Sequence, residues 1–323
     1  CTAKLVLAVC ALGSRLSNDP RTLYQESQDL RSGGWKYFSQ IRLVGMSFLK
    51  PSTIYDLQLH ALGVAFLFPT QLSHVCWYIA ALGIRIAQEV GAHRKRNLMT
   101  LPASQSRMEQ ETWKRAFWNI TSTDLYMSIA TGRPRSTRED DFDAELPPIC
   151  DDEYWEIPSN PQLEFVQPTG KFSKMAYWHY FVNLLRIAGL AKDHLFSTRR
   201  AASWLSSSVD GNDKIVLELD SMLNSWMDAL PDDLRWDPHR PNDTLFSQSV
   251  MLHTNYYWTQ IQIHKSFIRP GPLSTGNFPS LAICTNAARS FVHILQVYHL
   301  RPNMPRLPHY IVCFLYSIVS YLT

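Results

Sequence analysis

Residues 111–147 read ETWKRAFWNITSTDLYMSIATGRPRSTREDDFDAELP, and they carry the clearest structural pattern in the chain. Trp113, Phe117 and Ile120 are spaced four and three residues apart, which places them on one face of an α-helix. The pattern predicts a helix over about residues 105–129. The Pro- and acid-containing residues that follow cannot continue it. This stretch therefore predicts an amphipathic helix, a sharp turn and an irregular continuation.

The same helix carries a carboxylate on its apolar face. Asp124 lies seven residues after Phe117 and four after Ile120. A carboxylate in that position has to be paired or hydrogen-bonded, because an isolated buried charge is costly. Two interpretations stay open: a bidentate pair with Arg133 in the following turn, or an Asp124 at the helix edge that faces water.

A second amphipathic helix precedes the first, and both are followed by a glycine. Its apolar positions are Val75, Ile79, Leu82, Ile86 and Val90. Gly91 and Gly132 each stand where a left-handed residue ends a helix, and Pro134 prevents continuation after the second.

The remaining chain predicts an all-α protein. Helical patterns return at about residues 172–206, 212–229, 247–268, 280–299 and 308–323. Residues 139–170 contain five prolines, and nine acids fall between Glu139 and Glu156. This composition predicts a long irregular connection. We expect a large array of packed antiparallel helices, possibly two helical halves hinged near residues 144–170.

Composition and charge limit the functions open to the chain. Its 323 residues are 46% hydrophobic and 18% charged, enough for a sizeable core. A net charge of +3 is far from the basic balance of an autonomous nucleic-acid binder. The six cysteines, at positions 1, 10, 76, 150, 284 and 313, include no close pair. They therefore predict no zinc finger and no disulfide framework, and we expect no membrane span.

Motifs for catalysis are absent from the sequence. It contains no G-x-S-x-G, Walker, G-x-G-x-x-G or H-E-x-x-H pattern, so we predict that the chain is not an enzyme. A triad assembled from distant residues stays open at this point. The basic run at residues 93–96 is either a solvated helix end or a contact for phosphate or an import receptor. The aromatic cluster at 177–181 is either helix packing or a ligand-stacking wall. The first interpretation of each is favoured.

These segments resemble the fungal-specific transcription factor domain, the middle homology region of the zinc-cluster regulators. Residues 77–94, WYIAALGIRIAQEVGAHR, resemble the family's helix with an Arg-x-Ala step and a Gly-x-His-Arg end. Residues 111–147 are similar to its strongest signature: Phe-Trp, Asp, Gly-Arg-Pro, Asp-x-Asp and Leu-Pro. Weaker similarities follow at 230–236, 263–268 and 284–289. The resemblance is clearest over residues 51–299, and Leu125 departs from the basic residue that is common after the Asp.

The resemblance assigns structural roles to the positions that match the family's motifs. These positions are Arg85, Gly91, His93, Arg94, Phe117, Trp118, Asp124, Gly132, Arg133, Pro134, Asp141, Asp143, Pro147, His264 and Phe267. No catalytic, cofactor-binding or metal-binding residue is implied within this chain.

The resemblance also implies a function. It implies the regulatory region of a nuclear, DNA-binding regulator of RNA polymerase II transcription, which restrains activity, senses an effector or contacts partners such as a co-regulator. In such proteins DNA is bound by a separate zinc cluster, which is absent from this chain, so zinc is expected there and no cofactor here. A homodimer, a small-molecule effector and a purely structural scaffold without ligand sensing stay open as alternatives, and an enzyme is a remote one.

Overall fold

The computed structural model describes residues 2–17, 19–24, 29–44, 50–70, 72–95, 107–156, 165–195, 209–268, 279–302 and 304. Its α-helices are α1 (Thr2–Leu16), α2 (Trp35–Phe38), α3 (Ile54–Leu67), α4 (Ser73–Glu89), α5 (Arg107–Thr131), α6 (Ala176–Leu195), α7 (Val209–Asp228), α8 (Asp243–His264) and α9 (Ser280–Leu300). These residues contain no β-strand, which confirms the all-α prediction. The helix predicted at 308–323 and the stretch 196–206 lie outside the described residues.

The two predicted glycine stops end their helices as expected. After α4, the Gly91 N–H donates to the Gln88 carbonyl and the Ala92 N–H donates to the Ala87 carbonyl, at 3.1 and 2.8 Å. These two bonds form a Schellman motif, with Gly91 at a φ of 75°. Gly132 follows α5 at a φ of 70°. Both positions use the left-handed conformation that glycine adopts without a Cβ penalty.

The described residues form two compact units, divided between Pro147 and Pro148. In the first unit α3, α4 and α5 pack against one another, and α1 packs on α3. Close packing is visible at Gly83, where an added Cβ would lie 3.0 Å from Ile120 and 3.3 Å from His60. The core of this unit is therefore a three-helix contact that depends on a small residue on α4.

Helix α1 is docked by its small residues. Ala8, Ala11 and Ser14 are buried, whereas Val6 and Leu16 are 57% and 66% exposed. The small inner face lets the α2 region approach closely: an added Cβ at Gly34 would lie 2.2 Å from the Ala11 carbonyl oxygen.

In the second unit α8 is the central helix. It packs against α6, α7 and α9, and Trp258 on α8 is 1% exposed. The irregular residues before α6 are fixed by a buried carboxylate, Asp151. This carboxylate accepts hydrogen bonds from the Ser173 hydroxyl at 2.9 Å and the Lys174 N–H at 2.8 Å. Cys150, Trp155 and Phe165 form a small apolar cluster beside it.

Candidate functional site

The buried carboxylate of α5 is bound by the loop that follows the Gly-Arg-Pro turn. Asp124 is 1% exposed, so the interpretation in which it faces water at the helix edge is wrong. Its Oδ2 accepts the backbone N–H of Ser136 and its Oδ1 accepts the Ser136 hydroxyl, both at 2.8 Å. One residue of the loop thus satisfies both oxygens of a buried carboxylate, which answers the need for partners that burial creates.

The Gly-Arg-Pro turn itself contacts α4. The Arg133 guanidinium donates to the His74 carbonyl at 3.1 Å and lies 5.5 Å from the centre of the Trp77 ring. The Trp77 indole N–H donates in turn to the Pro134 carbonyl at 3.0 Å. The turn is therefore attached to α4 by Arg133 and Pro134 and to α5 through Ser136. The direct Asp124–Arg133 pair stays a prediction.

The loop after α4 binds the acidic segment that follows the turn. The His93 carbonyl accepts the N–H groups of Asp143 and Ala144, at 3.1 and 3.2 Å. The Asp143 carboxylate accepts the Lys95 N–H at 2.7 Å and lies 3.5 Å from the Arg94 guanidinium. The described part of the basic run, residues 93–95, is thus a loop whose cations pair with acids from residues 139–147, and Arg96 lies outside the described residues. This arrangement favours the interpretation without phosphate.

Aromatic packing holds the same acidic segment on α5. The Phe142 ring is 5.5 Å from both Phe117 and Trp118, centre to centre, in edge-to-face geometry. The Trp118 indole N–H donates to the Glu145 carbonyl at 2.9 Å, and Pro147 is buried. The Phe-Trp pair of the motif therefore serves as the surface on which an irregular segment is fixed.

Asp141 stabilises the turn at residues 137–141, where the acidic segment begins. Its carboxylate accepts the Arg138 N–H at 2.7 Å and the Thr137 hydroxyl at 3.3 Å. The hydrogen bond from the Arg138 backbone is the main reason that the pKa of Asp141 lies below its usual value, and Arg138 and Arg85 lower it further by their charge. Arg85, exposed on α4, also donates to Gln88 at 2.7 Å.

The two remaining motif residues belong to the second unit. His264 is fully buried; its Nε2 is 3.1 Å from an Asp220 oxygen and its Nδ1 is 3.3 Å from the Ser280 hydroxyl. The three residues are a Ser-His-Asp set in composition, but Ser280 is only 3% exposed. A nucleophile has to reach a substrate, so these contacts connect α7, α8 and α9 without offering a reactive hydroxyl. Phe267 is half-buried in a short 3-10 turn.

Metal binding has no support among the side chains that the structure describes. Within the described ranges no three His, Cys, Asp or Glu residues form a group suited to a metal ion. Cys10 is exposed, whereas Cys76, Cys150 and Cys284 are buried. Burial raises the pKa of the Cys76 thiol to about 12 and that of Cys284 to about 11, which disfavours the thiolate that zinc needs. The three buried cysteines among the described residues are therefore poor zinc ligands.

Sequence reasoning located most of this region but missed several partners. It gave Asp124, Phe117 and Trp118, yet not Ser136 or Phe142, which bind them. No sequence pattern predicts that Ser136, four residues after Gly132, contacts a helix residue twelve positions earlier. The alternation of Phe142 with acids was the one available signal, since a lone aromatic side chain in an acidic stretch has to be buried somewhere.

Comparison with known proteins gives consistent similarities. A family model described as fungal specific transcription factor domain matches residues 1–228. The chain is 27% identical to activator of stress genes protein 1 of Candida albicans, over 81% of this chain and 28% of that protein. It is 24% identical to cutinase transcription factor 1 alpha of Fusarium vanettenii, over 77% of this chain and 26% of that protein.

The similarities also extend to yeast. Activator of stress genes 1 of Saccharomyces cerevisiae is 23% identical over 83% of this chain and 26% of its own length. The chain thus spans about a quarter of the length of these relatives. No solved structure matches it. None of the helices that the structure describes has the length and apolar character to cross a membrane.

Proposed function

The chain belongs to the fungal specific transcription factor domain family, and on that premise we propose that it is the regulatory region of a longer fungal transcription factor. The observation that carries the proposal is the family match over residues 1–228, together with relatives that are named as activators and transcription factors. Membership of this family points away from an enzyme. The longer protein acts in the nucleus and binds DNA through a zinc cluster outside this chain.

The region acts by binding a partner and not by contacting bases. A folded region affects output only if a ligand or partner prefers one of its states. A transcriptional co-regulator, a small-molecule effector or a second copy of the protein would each meet that requirement. The net charge of only +3 supports partner binding over DNA binding by this region, because phosphate contacts need clustered cations.

The test is a reporter assay in a fungal host. The longer protein is compared with a version that lacks residues 51–299 and keeps its zinc cluster and any terminal activation segment. We expect the deletion to change the reporter level or its response to nutrients, while chromatin immunoprecipitation finds the same DNA sites. Identical output under all growth conditions would reject the regulatory role and leave an inert scaffold.

Point variants make the test sharper. Asp124→Ala removes the carboxylate that holds the loop after the Gly-Arg-Pro turn. Ser225→Ala is the matched control, since that exposed serine bonds only locally, to the Ser221 carbonyl on its own helix. At equal protein levels the first variant should reproduce the effect of the deletion, and the second should behave as the wild type.

A further inference from the structure

The loop that follows the Gly-Arg-Pro turn places a serine hydroxyl directly on a buried carboxylate. Ser136 uses both its N–H and its hydroxyl to bind Asp124, each at 2.8 Å. Its side chain is partly exposed, and its backbone belongs to no helix, since α5 ends at Thr131. A change at this hydroxyl would therefore act on the attachment of the loop and not on helix formation.

The residues around Ser136 are strongly basic. The chain reads Arg133-Pro-Arg-Ser-Thr-Arg138, so arginines stand three and one residues before the serine and two residues after it. Arg133 is partly exposed and Arg138 is exposed. Arginines close to a serine are what the acidic peptide-binding groove of a basophilic protein kinase would bind, and arginine is also the strongest side-chain partner of a phosphate dianion.

A kinase would reach Ser136 through local opening of the loop. Pro134 removes one backbone donor, and the contacts described for residues 133–136 run through side chains of Trp77, Arg133, Asp124 and Ser136. Local opening that breaks such contacts costs less than unfolding a helix, so irregular loops open more often than core helices.

We propose that Ser136 is a phosphorylation site for a basophilic protein kinase, and that the phosphate detaches the loop from α5. In this step the Ser136 Oγ attacks the γ-phosphorus of ATP. The new O–P bond forms as the bond from that phosphorus to the β–γ bridging oxygen breaks. ADP leaves, and the hydroxyl proton passes to the base of the kinase.

The product conflicts with the geometry of the closed loop. The ester oxygen no longer has a proton to donate, and the group brings nearly two negative charges beside the buried carboxylate of Asp124. Like charges at hydrogen-bond distance repel strongly where water is excluded. The phosphate therefore leaves Asp124, and solvent-exposed Arg138 is placed to bind it. The regulatory meaning of this switch rests on the proposed function, but its chemistry does not.

The experiment treats the purified chain with the catalytic subunit of cyclic-AMP-dependent protein kinase and ATP, and maps phosphate by mass spectrometry. We expect phosphate on Ser136, its loss in Ser136→Ala, and undiminished incorporation in the control Ser225→Ala. Ser136→Thr keeps a hydroxyl and should be phosphorylated, which separates loss of the acceptor from loss of the fold. Phosphate that stays away from position 136 in the wild type would overturn the proposal.

Hydrogen–deuterium exchange then reads the detachment of the loop. The Ser136 N–H, which donates to Asp124, should exchange roughly tenfold faster in the phosphorylated chain, because losing a hydrogen bond to a charged group raises the open population by that order. Asp124→Ala should speed both phosphorylation and this exchange. A chain phosphorylated at Ser136 with unchanged exchange would refute the switch. These readouts need no reporter, so they can fail or succeed independently of the proposed function.

Discussion

Replacing Asp124 by alanine should reveal how strongly the loop is attached to α5. The carboxylate is 1% exposed and accepts two hydrogen bonds from Ser136 at 2.8 Å. Each bond to a charged group contributes about 1.5–3 kcal/mol, and removing the carboxylate also relieves its own burial cost. We expect Asp124→Ala to lower the free energy of unfolding by about 3 kcal/mol.

Ser136→Ala should cost less than that. It removes the hydroxyl but keeps the backbone N–H, so the expected loss is about 1.5 kcal/mol. Urea unfolding is followed by tryptophan fluorescence for the wild type, the two single variants and the double variant, which together form a double-mutant cycle. The two changes should be non-additive, with Ser136→Ala nearly neutral once Asp124 is gone, because groups in contact couple. A loss below about 1 kcal/mol for Asp124→Ala, or strict additivity, would refute the reasoning.

Four further predictions concern Arg133, two buried histidines, Gly34 and zinc. Arg133→Ala should cost roughly 3–5 kcal/mol if Arg133 pairs with buried Asp124 and about 1 kcal/mol or less if it does not; additivity with Asp124→Ala in the same urea assay would exclude the pair. Burial lowers the pKa of His60 and His253, so as pH falls the unfolded chain takes up protons first. The urea midpoint should therefore be constant above about pH 7 and should decrease as the pH is lowered below that value, and a flat midpoint would contradict this. Gly34→Ala should cost about 2 kcal/mol or more in the urea assay, because φ is +82° and the new Cβ meets the Ala11 carbonyl; Gly132→Ala, at a φ of +70° in open space, is the control at about 1 kcal/mol. Elemental analysis of the purified chain should find no stoichiometric zinc, and finding about two zinc ions per chain would overturn the assignment of zinc to another region.

Helix positions and stops were the most predictable part of the fold. The periodic apolar residues of α4 and α5, with Gly91 and Gly132 after them, gave helix ends within two residues of those observed. Local signals suffice there, because a helix and its cap depend on residues within one or two turns. The burial of Asp124 was one of the two interpretations that its position on the apolar face left open.

Contacts between distant residues were less predictable. The segment from Glu139 to Pro147 reads as an irregular acidic connection, and nothing in its composition says that Phe142 packs on Phe117 and Trp118. The partners of His264, on α7 and α9, were missed as well. Such contacts depend on the relative placement of elements, and many placements are compatible with one periodic pattern.

The contacts of residues 139–147 with α5 determine where the chain can be cut so that the first unit is expressed by itself. A boundary chosen from helices alone would fall just after Thr131, where α5 ends. Such a truncated polypeptide would lack the Phe142 ring and the Glu145 carbonyl that contact Trp118. The apolar surface of Trp118 would then be exposed to solvent, and exposed apolar patches promote aggregation. A polypeptide that extends through Pro147 keeps residues 139–147 packed on α5. We expect the longer polypeptide to be soluble and the shorter one to form inclusion bodies.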